Sequence, residues 1–294
     1  MGELNPHTLD RLTGALLAWG ESRLRDLPWR RTRDPWPIFV SEVMLQQTSV
    51  ARVLPKFDAF IARFPQPSDL ASAPLGEALV LWEGLGYPRR CRNLRDAASV
   101  IHRHHGGRVP DNLDDLLALP GVGPYTARAI LAFAFAQDVA VVDTNVARVL
   151  SRVAGEPMKL ASTQNLADDL VPRGRAWEWN QIMMDFGATV CTARHPKCDQ
   201  CALVDKCAWA GDITQADPAT TTQGTSRPQA KFEGSDRQAR GRALRAVTLQ
   251  PLKDIEVFAA MELSNDVMRA RQLLDQLLAE GLVVQIEGKI SLPR

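Results

Sequence analysis

Four cysteines stand close together in CTARHPKCDQCALVDKC, as Cys191, Cys198, Cys201 and Cys207. The spacing C-x6-C-x2-C-x5-C supplies four thiolates to one tetrahedral metal or one cluster. A zinc knob usually pairs two C-x2-C units, and only one is present here. Two carboxyls stand out in other surroundings. Asp143 in VVDTNVARVL occupies the N-cap position of a helix beginning near Thr144. There it is expected to accept N–H bonds and stay ionised, whether its role is structural or chemical. Glu42 in FVSEVMLQQTSV, if 37–48 is helical, has Ile38, Phe39 and Leu45 as neighbours. A carboxyl on an apolar face is held protonated and becomes a proton donor near neutrality. A boundary glutamate paired with an arginine is the plain alternative. In LPGVGPYTA, Gly121 and Gly123 flank Val122 ahead of a helix. Both glycines are expected to take conformations closed to other residues and to bare N–H groups toward a phosphate. A simple helix–helix turn uses the same residues.

The elements that must position these groups are helical. Periodicity predicts helices over 8–25, 36–64, 67–84, 90–105, 112–119 and 124–136, punctuated by Pro and Gly. Strand signals are nearly absent before residue 280. Residues 212–230, rich in Thr, Gln, Ala and Pro, read as a flexible linker. Three helices, 237–247, 254–261 and 265–281, and a hairpin over 282–292 then follow in winged-helix order. The net charge is +1 and arginine far outnumbers lysine, with clusters at 21–34 and 87–96. These suit phosphates, but the commoner reading is solvated faces. No run of 18 apolar residues suggests a membrane span, and MGELNPHTLDRL lacks a signal-peptide pattern. A cytosolic location follows, in which clustered cysteines favour metal over disulfides. Cys91 reads as an ordinary thiol.

The cysteine spacing and LPGVGPYTA, in this order, resemble the endonuclease III and MutY superfamily of helix-hairpin-helix DNA glycosylases. SEVMLQQT, LPWR (27–30), GLGY (84–87), RNL (92–94), TNVARVL (144–150) and WNQIMMDFGATVC (179–191) resemble its MutY adenine glycosylase branch. The resemblance covers about residues 10–210. It implies an all-α glycosylase fold over 1–211 (a six-helix barrel over about 30–136, and a cluster domain from 1–29 plus 137–211), a linker over 212–234 and a winged-helix-like α+β module over 235–294. It also implies a [4Fe-4S] cluster on the four cysteines. Glu42 would protonate the departing adenine and Asp143 would stabilise the sugar cation, with Asn145 and Tyr125 in support. Trp29, Arg30 and Gln181 would line the adenine pocket, while Gln47 and Tyr87 would wedge beside the partner base. Such an enzyme extrudes its base from duplex DNA holding a mismatch. The implied substrate is adenine opposite 8-oxoguanine or guanine, and the enzyme is a nucleoid-associated monomer.

Strand-cutting relatives carry a lysine where Tyr125 stands, and no lysine lies between Lys56 and Lys159. A monofunctional enzyme is therefore implied. Pro88 follows GLGY where an aromatic is usual. The 87 residues after Cys207 do not look like the Nudix-like domain that MutY enzymes carry; a second weak DNA or protein contact is expected from them instead. A thymine- or uracil-mismatch glycosylase of the same superfamily and a non-catalytic iron–sulfur DNA-binding protein are the competing readings.

Overall fold

In a computed structural model, residues 6–225 and 230–294 are described. They divide into two compact units. One holds the chain up to Pro35, Asp111–Leu113 and the run from Gly123 to residue 225. The other holds Trp36–Pro110, Asp114–Val122 and the chain from residue 230 to Arg294.

The first unit is built from α1 (Pro6–Gly20), α8 (Pro124–Ala134), α9 (Thr144–Ala154), α10 (Leu160–Asp169) and α11 (Ala176–Thr189). The second contains α2 (Pro35–Leu45), α3 (Val50–Arg63), α4 (Pro67–Ser72), α5 (Leu75–Trp82) and α6 (Arg89–His104), and α7 (Leu113–Leu117) precedes the glycine turn. Near the C-terminus come α12 (Asp236–Leu249), α13 (Asp254–Ala260), α14 (Val267–Ala279) and the strands β1 (Val284–Ile286) and β2 (Lys289–Ser291).

In the first unit α1, α9 and α11 bury Leu12, Leu16, Val149, Leu150, Trp179 and Phe186 in one cluster. Each supplies one apolar stripe at 3–4-residue spacing, and the stripes meet. In the second, Phe60 sits edge-on to Phe64 and Trp82, at 5.0 and 5.8 Å between centroids. The helical runs expected over 36–64 and 67–84 are each broken in two. The first ends at Leu45 and resumes at Val50, because Gln47 turns left-handed at φ 56°. The second stops at Ser72 and restarts after Pro74, whose ring leaves no N–H for a continuing helix.

The three C-terminal helices and hairpin lie where periodicity placed them. Their strands pair antiparallel with Gln285 opposite Ile290, and Glu287 and Gly288 turn with φ 50° and 73°, the pattern of a two-residue hairpin turn. Residues 212–225, read as a free tether, are instead fastened to the first unit. Asp217 accepts from Arg152 Nη2 at 2.6 Å, Thr222 Oγ1 accepts from the Met158 N–H at 3.0 Å, and Gln223 N donates to the Met158 carbonyl. The sequence signal there is compositional only; the anchoring bonds span some 65 residues, beyond any local pattern.

Candidate active site

Asp143 caps α9 as its residue type and position require. Its Oδ1 accepts from the N–H groups of Asn145 (2.8 Å) and Val146 (2.7 Å), and its Oδ2 accepts from Asn145 Nδ2 (2.7 Å). Asn145 Oδ1 in turn accepts from Arg148 Nη2 at 2.8 Å. Arg148, 5% exposed, also donates from Nε to the Cys191 carbonyl at 2.8 Å and from Nη2 to the Gly187 carbonyl at 2.6 Å. A hydrogen-bonded chain therefore runs from the Asp143 carboxyl to the backbone of the first cysteine. Gly187 allows it, since a Cβ there would stand 2.7 Å from Asn145 Cβ. The direction of its pKa departs from expectation. Burial pushes the Asp143 carboxyl above its ordinary range, although the Val146 and Asn145 donors and the nearby Arg148 pull it down. The cap is present, but it does not outweigh desolvation.

Cys191, Cys198, Cys201 and Cys207 line one small cavity of about 20 Å³, shared with Arg152 and Trp209. Arg152 Nη1 lies 3.3 Å from Cys191 Sγ, and the N–H groups of Leu203 and Ala210 point at the sulfurs of Cys201 and Cys207 at 3.4 and 3.3 Å. Such donors around sulfur suit thiolates bound to metal. Gly211 is obligatory here, with φ 78° and a would-be Cβ 2.7 Å from Cys198 Sγ. Burial raises the thiols of Cys198 and Cys207 and takes Cys201 up to about 11. Among the described residues, no three His, Cys, Asp or Glu side chains gather closely enough to hold one metal ion. Four thiols facing one cavity, with guanidinium and N–H donors on the sulfurs, are the donor set a thiolate-held group would use. Cys91, the remaining thiol, is wholly buried on α6.

Trp29 is buried in the one-turn helix Pro28–Arg30, and Gln181 is 3% exposed on α11. The Oε1 atom of Gln181 has no hydrogen-bond partner among the described residues, which is costly unless a ligand supplies a donor. Arg30, expected at the base, is committed elsewhere. Its Nη1 and Nη2 grip Asp185 at 2.8 and 3.0 Å, and Arg25 Nε joins at 2.7 Å. Burial raises Asp185, but these two arginines and the Arg25 N–H outweigh it and hold the carboxyl below its usual range. Asp185 follows Gln181 by one helical turn, so the ion pair fixes the face that carries the glutamine. Sequence reasoning missed this acid, whose signal was an aspartate set between Met184 and Phe186.

In the second unit Glu42 is 5% exposed on α2, amid buried Ile38, Phe39 and Val43. Gln47 is exposed and Tyr87 half-buried, and both adopt left-handed φ, 56° and 47°. Such strain in non-glycine residues concentrates at functional sites. One side chain holds both turns. Buried Arg90 donates from Nη1 to the carbonyls of Val43 (2.8 Å) and Met44 (2.9 Å). From Nη2 it donates to Thr48 Oγ1, Leu85 O and Gly86 O at 2.9–3.0 Å. Burial lowers this guanidinium to about 10. The arginine-rich 87–96 segment is thus neither a plain solvated face nor a plain phosphate patch.

The hairpin glycines differ. Gly121 has φ 78°, and a Cβ there would sit 2.7 Å from Asn93 Cβ. Gly123 is extended, at φ −103° and ψ 177°, with open space where a Cβ would stand. The expectation that both need glycine's freedom is corrected to Gly121 alone. Val122 is buried, Pro124 opens α8, and half-buried Tyr125 follows in its first turn.

Comparison with known proteins adds to this geometry. The HhH-GPD superfamily of base excision DNA repair proteins matches residues 40–172. An adenine DNA glycosylase of Mycobacterium tuberculosis is 41% identical over 288 residues, 95% of this chain and 92% of the relative. A thymine/uracil-DNA glycosylase of Methanothermobacter thermautotrophicus is 35% identical over 66% of this chain and 90% of its own. Among solved structures, a thermostable thymine-DNA glycosylase superposes with TM-score 0.66 and 31% identity, covering 71% of this chain and 99% of that one.

Proposed function

The chain belongs to the MutY-type DNA glycosylases of the HhH-GPD superfamily of base excision DNA repair proteins, and on that premise we propose that it removes adenine mispaired with 8-oxoguanine or guanine in duplex DNA. The observation that carries adenine over thymine is Glu42, a carboxyl buried on a helix whose other side chains, Ser41 apart, are apolar. Adenine is a poor leaving group until protonated, and a desolvated carboxyl is a suitable donor. The match to the mycobacterial adenine glycosylase also reaches past the cysteine loop, over 95% of the chain.

Asp143 stabilises the oxocarbenium-like sugar as the N-glycosidic bond breaks, and Asn145 fixes its carboxylate orientation through the 2.7 Å bond. Gln181, with its unsatisfied Oε1, accepts from the exocyclic amine of the extruded base beside Trp29. Arg30 positions that wall through Asp185. Gln47 and Tyr87 fill the space the base leaves, and the turn at Gly121, Val122 and Gly123 takes a phosphate. With Tyr125 in the hairpin and no lysine between Lys56 and Lys159, the enzyme leaves an abasic site uncut.

The four cysteines would hold a [4Fe-4S] cluster, which would supply a structural pin for the loop. Residues 235–294 form a winged-helix-like module. The described residues include no helix long and apolar enough to cross a membrane, and the enzyme acts as a monomer on nucleoid DNA in the cytoplasm. Incubation with A·8-oxoguanine, A·G and T·G duplexes, followed by identification of the free base, tests the reading. Adenine from the first two supports it; thymine from T·G alone replaces it with the mismatch-thymine alternative. Borohydride trapping on abasic DNA is expected to yield little adduct, and efficient trapping refutes monofunctional action.

A further inference from the structure

The helix α12 and the end of α14 meet the 83–92 segment at several charged contacts within the second unit. Arg245 Nε lies 3.1 Å from Glu83 Oε1, just ahead of the GLGY turn. Arg237 Nη1 donates to the Tyr87 hydroxyl at 2.9 Å. Glu280 receives Arg89 at 3.5 Å and Arg240 at 2.5 Å, and its carbonyl accepts from Arg92. The chain end adds a backbone bond, Gly76 N to Pro293 O at 2.9 Å. Arg237 and Arg245 stand eight residues apart, two helical turns, so one face of α12 follows the turn that carries Tyr87.

Tyr87 holds a backbone conformation rare for a residue with a side chain, and such conformations persist where the surroundings over-determine them. Arg90 fixes it from one end, bonding the Gly86 carbonyl and lying 5.5 Å from the Tyr87 ring centroid. Arg237 fixes the other end, at the hydroxyl. A phenol restrained at both ends has one tilt. We propose that Arg237 is a positioning residue that sets, through the Tyr87 hydroxyl, how the enzyme discriminates the base opposite the excised adenine. This rests on the function proposed above, in which Tyr87 is placed beside that partner base. 8-Oxoguanine differs from guanine by an oxygen at C8 and a proton at N7. Telling them apart requires a probe held in place, and the C-terminal module supplies the hold.

The test is single-turnover adenine release from A·8-oxoguanine and A·G duplexes by full-length enzyme. Arg237→Ala is expected to move the ratio of the two rate constants by threefold or more. Arg237→Lys, which keeps a donor, recovers most of the original ratio. Tyr87→Phe shifts the ratio in the same direction, and the double variant shifts it no further than either single change. Arg242→Ala, whose partner is Glu262 on the same module, leaves it untouched. A role limited to stability lowers the amplitude with both duplexes and leaves the ratio alone. An unchanged ratio in Arg237→Ala, or additive effects in the double variant, overturns the proposal. Should no duplex release adenine, the proposed function fails instead.

Discussion

Asp143 and Arg90 are charged groups held in opposite ways. Asp143 is a carboxyl ringed by donors from its own helix, all within five residues. Arg90 is a guanidinium ringed by five acceptors, three of them over forty residues away. Neither is neutralised by a direct ion pair in these bonds. For Asp143 the donors fail to offset burial, and the carboxyl is raised; Arg90 too is shifted toward its neutral form, to about 10. The difference lies in what depends on each. The Asp143 bonds fix one carboxylate, whereas the Arg90 bonds fix two turns, those of Gln47 and Tyr87. One arrangement tunes the ionisation of a single carboxyl and the other shapes a surface.

Removing each centre should separate these roles. Asp143→Asn keeps the cap and loses the charge, so base release should fall about 10³-fold, a loss typical of removing transition-state electrostatics. Duplex affinity by titration should stay within about twofold; a parallel loss of binding would assign Asp143 to structure. Arg90→Ala strands five acceptors and should cost about 3 kcal/mol in chemical denaturation. Arg90→Lys should recover less than half, since one ammonium cannot span the fork. Full recovery would show that charge alone sufficed. Glu42→Gln should slow adenine release about 10²-fold, with little change in melting temperature. Within the hairpin, Gly121→Ala should cost about 1–2 kcal/mol through its positive φ and Asn93, while Gly123→Ala should stay within about 0.5 kcal/mol. Equal costs would contradict the two glycine conformations.

The smallest effect is one of pH. Because burial raises Asp143, the folded chain binds its proton more tightly than the unfolded chain does. Between the ordinary aspartate value and the raised one, stability therefore falls as pH rises. In the role proposed for Asp143 base release needs the ionised form, so its acidic limb should lie above the usual aspartate range of about 3.9. A limb at or below that value in single-turnover profiles would mean the cap prevails after all.

What was legible in the sequence follows sequence separation. The Asp143 cap, the Pro124 helix start and the C-terminal hairpin are local, and residue types within a few positions specify them. The break at Gln47 was missed because its apolar period continues through a turn stabilised from Arg90. Arg148 and Asp185 were missed as partners because a polar residue on an apolar helix face signals burial but not its counterpart. Arg30 is placed at the base only by the family resemblance of LPWR; its ion pair to Asp185 joins residues 155 positions apart, which no local pattern announces. The burial that raises Asp143 likewise depends on elements distant in sequence.

Arg152 touches Cys191 Sγ and grips Asp217, so the cysteine loop and the stretch after it share one fastening. Loosening the first should free the second. Amide exchange at Gln223, whose N–H donates to the Met158 carbonyl, would then serve as an outside gauge of that fastening: slow while Arg152 holds both, faster in Arg152→Ala.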